Sequence, residues 1–220
     1  MSREFRITAL RHLDSVGVRG SAGACDSWQD LGVDPARGEV AWKRLFASPF
    51  RGFRRLDITS GMFVIAVEGL GLDALDEDVR RSTALVLASS TGCLAADLRF
   101  EASLRSPTGI KPAVFPYTLP STCLGEVAIR HKLMGPTLCV SVDAGEERQG
   151  VDAARELLRA GEALAAVVLL GDWVPATARI PAKTNLAALL LQQTATDTSL
   201  DASLEQTGED ILSGISRLLS

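Results

Sequence analysis

The chain has 220 residues, 46% hydrophobic and 23% charged, a composition that argues against disorder and allows a sizeable core. With 23 Lys and Arg against 27 Asp and Glu, a net charge of −4 and no basic block, it is a poor candidate for nucleic-acid binding. Its longest apolar run, Ala163–Leu170, falls far short of the ~20 residues a membrane span requires. The opening Met1-Ser-Arg-Glu-Phe-Arg carries no signal-peptide apolar region, so a soluble cytoplasmic protein is expected.

Taken in chain order, Phe5–Leu10 has a short strand pattern. Residues 11–57 mix glycine, proline and scattered aromatics and read as an irregular cover with short helical pieces. Ser60–Leu70 is apolar enough for a buried helix. Thr83–Ala88 is too short for a helix and reads as a buried strand. Apolar residues at 94, 95, 98 and 102 put a helix over Leu94–Leu104, and the proline-rich Ser106–Pro120 is a loop. Ser121–Leu133 is a helix stopped by Gly135-Pro136, followed by a strand over Thr137–Val142. Glu146–Ala160 is an amphipathic helix ending at Gly161, Ala165–Gly171 a third buried strand, and Leu186–Leu191 a fourth. Apolar strands separated by helices imply an α/β fold, a sheet covered on both faces. Residues 1–192 read as one domain. Residues 193–220 read as a linker and an amphipathic helical tail, with Thr207 and Asp210 forming a capping box.

The chemistry available is narrow. Histidine occurs only at 12 and 131, and there is neither a GxSxG elbow nor a GxxxxGK[ST] loop. Cys25, Cys93, Cys123 and Cys139 show no CxxC spacing, so no metal site is expected, and the thiols should be reduced and buried. Cys139 falls mid-strand, whereas Cys93 and Cys123 fall at helix starts, where a thiol could be activated.

The stretch Phe115-Pro-Tyr-Thr-Leu-Pro-Ser-Thr-Cys-Leu-Gly-Glu-Val-Ala-Ile-Arg-His-Lys-Leu-Met-Gly-Pro136 closely resembles the "FP…lPn…ag.vAi…l.GP" segment of β-ketoacyl synthases. Further pieces resemble that family in the right order: Arg55-Leu-Asp57 before an apolar helix, Leu87–Gly92, Ala153–Gly161 with Ala165–Gly171, and Ala187–Leu191. The resemblance implies a thiolase fold, of which this chain matches the N-terminal half: a mixed, mostly parallel sheet between helices, with the helical tail added.

The family's nucleophilic Cys would fall near Ala144, in Val142-Asp-Ala-Gly-Glu-Glu147, where there is none. Asp143, Glu146 and Glu147 crowd that helix start instead. The family's two catalytic histidines belong to its C-terminal half, and no histidine follows residue 192 here. The resemblance therefore implies a chain without catalytic residues or cofactor, similar to a half-length chain-length-factor-like subunit as found beside polyene-type ketosynthases. Its implied partners are a full-length β-ketoacyl synthase and, through that complex, an acyl carrier protein. The implied interface is Thr137, Leu138, Cys139, Val140, Ser141 and Val142, pairing as an antiparallel strand. The implied tunnel-wall residues are Phe115, Tyr117, Thr118, Thr122, Asp143 and Ala144. Two alternatives remain open: a short acyltransferase using Cys93, Cys123 or Cys139, and a homodimeric scaffold.

Overall fold

The apolar runs organise the sheet. In the computed structural model, which describes residues 5–20, 25–31, 33–34, 39–40, 46, 48–50, 52–177 and 180–193, they form its centre. The strands are β1 (Phe5–Leu13), β2 (Gly17–Gly20), β3 (Cys25–Ser27), β4 (Val33–Asp34), β5 (Glu39–Val40), β6 (Ala84–Ser89), β7 (Thr137–Ser141), β8 (Ala165–Val174) and β9 (Lys183–Gln193). Seven form one sheet in the order β3-β2-β1-β9-β8-β6-β7, while β4 and β5 pair separately. The helices are α1 (Trp28–Leu31), α2 (Ile58–Glu68), α3 (Glu77–Arg81), α4 (Leu94–Leu104), α5 (Ser121–His131) and α6 (Arg148–Arg159).

Every residue of β6 and β8 is buried, so both faces of the sheet centre are covered. Successive side chains alternate between the faces. Leu85, Leu87, Val167 and Leu169 join the core under α2 and α5, and Val86, Ala88, Val168 and Leu170 join the core under α6. Helix α2 is apolar all round and buried from Thr59 to Val67. Asp57 caps it, accepting from Thr59 N at 3.2 Å and Ser60 N at 3.1 Å. Gly150 lets α6 lie close on the sheet: a Cβ there would come within 2.7 Å of Ala88 Cβ and 3.0 Å of Leu170 Cδ2. Gly135, where a Cβ would lie 2.4 Å from the Thr83 carbonyl oxygen, lets the chain enter β7 against the start of β6.

Three expectations change. The sheet is mixed, but β6 pairs parallel only with β7 and β8, while β8–β9, β9–β1, β1–β2 and β2–β3 are antiparallel. The parallel part is where helical crossovers link the strands; β8 and β9 are joined by a short connection, which gives an antiparallel pair. Residues 11–20 and 25–27 are not irregular cover: they extend β1 and add β2 and β3 to the sheet. His12 lies there because its Nε2 meets Asn185 Oδ1 at 2.5 Å, satisfying a buried ring. Finally, Pro112–Thr118 within the expected loop is a 3₁₀ helix. The expected tail beyond Gln193, with Thr207 and Asp210, lies outside the described residues.

Candidate functional site

Among the described residues, strand β7 is an edge of the sheet, hydrogen-bonded only to β6. Val142 N donates inward to the Ser89 carbonyl at 3.2 Å, and Leu85 N donates to the Pro136 carbonyl at 2.8 Å. Backbone direction alternates along a strand, so the N–H and C=O groups of Thr137, Cys139 and Ser141 point outward from the sheet edge. Thr137, Leu138, Cys139 and Ser141 are exposed, Val140 is half-buried and Val142 buried. Cys139 is thus exposed rather than buried, because among the described residues none pairs beyond β7 to cover it. The apolar surface gathers on the same stretch of chain. Among the described residues, seven of the nine exposed large hydrophobics lie from residue 104 to 138, including Phe115, Leu119, Ile129, Met134 and Leu138. Such an edge is an aggregation template unless a partner covers it.

At the C-terminal end of β7 the turn Asp143-Ala144-Gly145 leads into α6. Asp143, Ala144 and Glu146 are exposed. Glu147 is buried and folds back, its Oε1 accepting from Gly145 N at 3.2 Å. The three acidic residues therefore do not converge on one point. The turn presents no thiol.

A small pocket lies between the start of α2, the loop after β6 and the start of α5. It is lined by Asp57, Thr59, Ser60, Gly92, Cys93, Tyr117, Leu119, Pro120 and Cys123. Of the expected tunnel residues, this region brings together Tyr117, Thr118 and Thr122. Cys93 Sγ donates to the Thr118 carbonyl at 3.0 Å, and Thr122 Oγ1 donates to the Pro116 carbonyl at 2.5 Å. Tyr117 OH donates to Glu126 Oε1 at 3.3 Å, and burial together with Glu126 pushes the phenol up to about 12. Phe115 is 60% exposed, its ring 5.4 Å from that of Phe100. Asp143 and Ala144 sit in the other turn, beyond β7.

The thiols of this region are held protonated at neutral pH. Burial, with Asp97 adding to it, pushes Cys93 up to about 11. Burial pushes Cys123 still higher, and partial shielding of the thiol by its neighbours raises Cys139 although the residue is exposed. A nucleophilic thiol needs the opposite environment. His131, the candidate base nearest the motif, is buried and packs beside Glu68; desolvation lowers its pKa against the pull of Glu68. Its neighbour Arg130 binds both Glu68 oxygens, at 3.0 and 2.6 Å, and lies over the Phe46 and Phe50 rings. These groups join α5 to α2 and serve the core. Among the described residues, no group of three His, Cys, Asp or Glu side chains is placed to hold a metal ion. Nor is any helix among them long and apolar enough to cross a membrane.

One cluster escaped the sequence reading. Asp172, buried in β8, accepts from Ser89 Oγ at 2.5 Å, Ser90 Oγ at 2.6 Å, and Thr91 N and Oγ1 at 3.0 and 2.8 Å. Burial alone would raise this carboxyl, but the donors from Ser89, Ser90 and Thr91 outweigh it and hold it below the usual carboxylate range. Lys183 Nζ completes the rim, 3.0 Å from Ser90 Oγ. The only signal was a carboxylate inside an otherwise apolar strand.

Comparison with known proteins gives the architecture a family of shapes. No protein-family model matches the sequence, and no curated protein does. Solved structures match it well. "The ishigamide ketosynthase/chain length factor" superposes with a TM-score of 0.62 at 20% identity, covering 88% of this chain and 63% of that one. The fold is that of the ketosynthases. A chain from "Ketosynthase (ApeO) in Complex with its Chain Length Factor (ApeC) from Xenorhabdus doucetiae" matches with a TM-score of 0.60 at 21% identity, over 100% of this chain and 92% of that one. A type II acyl-carrier protein complex with its ketosynthase bound to the hexaketide (AntDE:AntF) matches at 0.57 and 13% identity, over 88% and 64%. This chain thus spans under two thirds of the ishigamide and AntDE:AntF chains, but nearly all of the Xenorhabdus one. The thiolase-type ketosynthase fold implied by the Phe115–Pro136 motif is the fold observed.

Proposed function

We propose that this chain is a non-catalytic, chain-length-factor-like subunit that pairs through β7 with a β-ketoacyl synthase and contributes walls to that partner's acyl tunnel. The acyl chain is carried by an acyl carrier protein bound mainly by the partner, in fatty-acid or polyketide biosynthesis of the polyene type. The observation that carries this reading is a ketosynthase fold whose nucleophile turn, Asp143-Ala144-Gly145, holds no thiol. Three features support it further. Among the described residues, the β7 edge has outward backbone groups that no strand pairs, and an apolar flank. The thiols of Cys93, Cys123 and Cys139 are held protonated, which weighs against the acyltransferase alternative. The matched Xenorhabdus chain, little longer than this one, comes from a ketosynthase–chain length factor complex.

The test is co-expression with a ketosynthase encoded near it, followed by sizing and a condensation assay. The expected result is a heterodimer whose activity belongs to the ketosynthase and survives replacement of every cysteine in this chain. A chain that ignores the ketosynthase and forms only a homodimer would support the scaffold instead. Condensation by the isolated chain, lost in one Cys variant, would make it an enzyme.

A further inference from the structure

The Asp172 cluster reaches the segment assigned to the tunnel indirectly, through the loop that follows β6. The carboxylate gathers four donors from Ser89, Ser90 and Thr91, which fixes the course of the chain as it leaves β6. Ser89 Oγ in turn accepts from Gly92 N at 2.7 Å, closing the loop on itself. Gly92 adopts φ 56°, and a Cβ there would lie 3.3 Å from Pro120 Cγ, so the loop packs directly on the chain entering α5. The next residue, Cys93, donates its S–H to the Thr118 carbonyl. Cys93 also precedes α4, whose Phe100 packs on Phe115. Two anchors of Pro112–Thr118, the Cys93 thiol and the Phe100 ring, therefore take their position from a loop that one buried carboxylate holds.

We infer that Asp172 is a positioning residue: through the Ser89–Gly92 loop and the Cys93 thiol it sets the placement of Pro112–Thr118. Its functional meaning rests on the proposed function, which puts this segment in the wall of an acyl tunnel. Ser89 Oγ, Thr91 N and Thr91 Oγ1 converge on Oδ1 and Ser90 Oγ meets Oδ2, so Asp172 serves as the acceptor that gathers the loop. Lys183 Nζ, 3.0 Å from Ser90 Oγ and 3.9 Å from Asp172 Oδ2, adds a cation on the solvent side of the cluster.

Hydrogen exchange read by mass spectrometry on the purified chain tests this directly. Asp172→Asn is expected to speed exchange in 89–93 and 112–118 by tenfold or more, with β9 and β1 unchanged. Cys93→Ala should loosen 112–118 alone, and Cys93→Ser, which keeps a donor to the Thr118 carbonyl, should restore wild-type exchange there. Ser90→Ala, which removes one donor and keeps the carboxylate, serves if Asp172→Asn does not fold, with a smaller acceleration in the same two segments. If loosening stays within 89–93 and 112–118 exchanges as in the wild type, the inference is overturned. In the assembled ketosynthase complex, Asp172→Asn should also broaden the distribution of product chain lengths. Loosened 112–118 with an unchanged product distribution would uphold the positioning role and refute the tunnel-wall assignment.

Discussion

Truncating Phe115 to Ala separates a tunnel wall from a core residue, and the structure sets the size of the stability change. The residue is 60% exposed. A phenylalanine buries roughly 200 Å² when fully covered, so about 80 Å² is at stake here. At ~25 cal/mol per Å² this is about 2 kcal/mol, an upper value because unfolded chains already shield some apolar surface. Losing the ring contact with Phe100 adds about 0.5–1.5 kcal/mol. The expected cost is thus at most about 2.5–3.5 kcal/mol, at the low end of the ~3–5 kcal/mol of a core Phe→Ala change. For a chain of this size that corresponds to a melting temperature lowered by roughly 5–14 °C, leaving a folded protein. The functional expectation is a longer product at similar initial turnover in the ketosynthase complex, read by mass spectrometry beside a melting curve. Unchanged product length in a folded variant would refute the wall assignment. A loss well above ~4 kcal/mol would refute the packing argument, since it would mean that Phe115 is held far more closely than its exposure indicates.

Other outcomes follow from the same geometry. Ser141→Pro removes an outward N–H from β7 and leaves the inward ladder intact, so it should abolish ketosynthase association in sizing while circular dichroism stays close to wild type; an intact complex would place the interface elsewhere. Maleimide labelling in a Cys25→Ser, Cys93→Ser background should modify Cys139 faster than Cys123, which should react only on unfolding, and ketosynthase binding should protect Cys139. Gly150→Ala should destabilise by about 1–3 kcal/mol in denaturant melts even though alanine favours helix, because its Cβ would meet Ala88 at 2.7 Å and force α6 off the sheet. His131 has a folded pKa below its ordinary value of 6.5, so the unfolded chain takes up its proton first. Its contribution is complete above about pH 6.5 and is lost as pH falls toward the folded pKa, by up to ~1.4 kcal/mol per pH unit. His131→Gln should flatten that part of the stability–pH curve.

The sequence reading succeeded where side chains alone define the environment. The runs in β6, β8, β9 and α2 are apolar throughout, and continuous burial needs no knowledge of neighbours. It failed where polar residues enter the sheet. Arg11, His12, Gly17 and Gly20 break any alternation, yet β1 runs on to Leu13 because His12 finds Asn185 across the sheet. The ordered motif from Phe115 to Pro136 identified the fold, and β7 was legible as a strand from its composition. The exposure of Cys139 was not, because it depends on which strand ends the sheet. The Asp172 cluster was beyond reach for a similar reason: its partners lie more than eighty residues away along the chain, and a single carboxylate in an apolar strand does not name its donors.

The way β7 is tied down bears on what strand pairing would cost a partner. Met134 N donates to the Arg81 carbonyl and Leu85 N to that of Pro136, each at 2.8 Å, while Val142 N holds the far end on Ser89. The five residues between are extended and fixed along their whole inner side by β6. Ordering a free segment of that length would cost roughly 5–10 kcal/mol in backbone entropy, and here folding of the chain itself has already met it. A strand arriving at this edge has to give up only its own disorder, so even a short run of backbone hydrogen bonds converts into affinity with little loss.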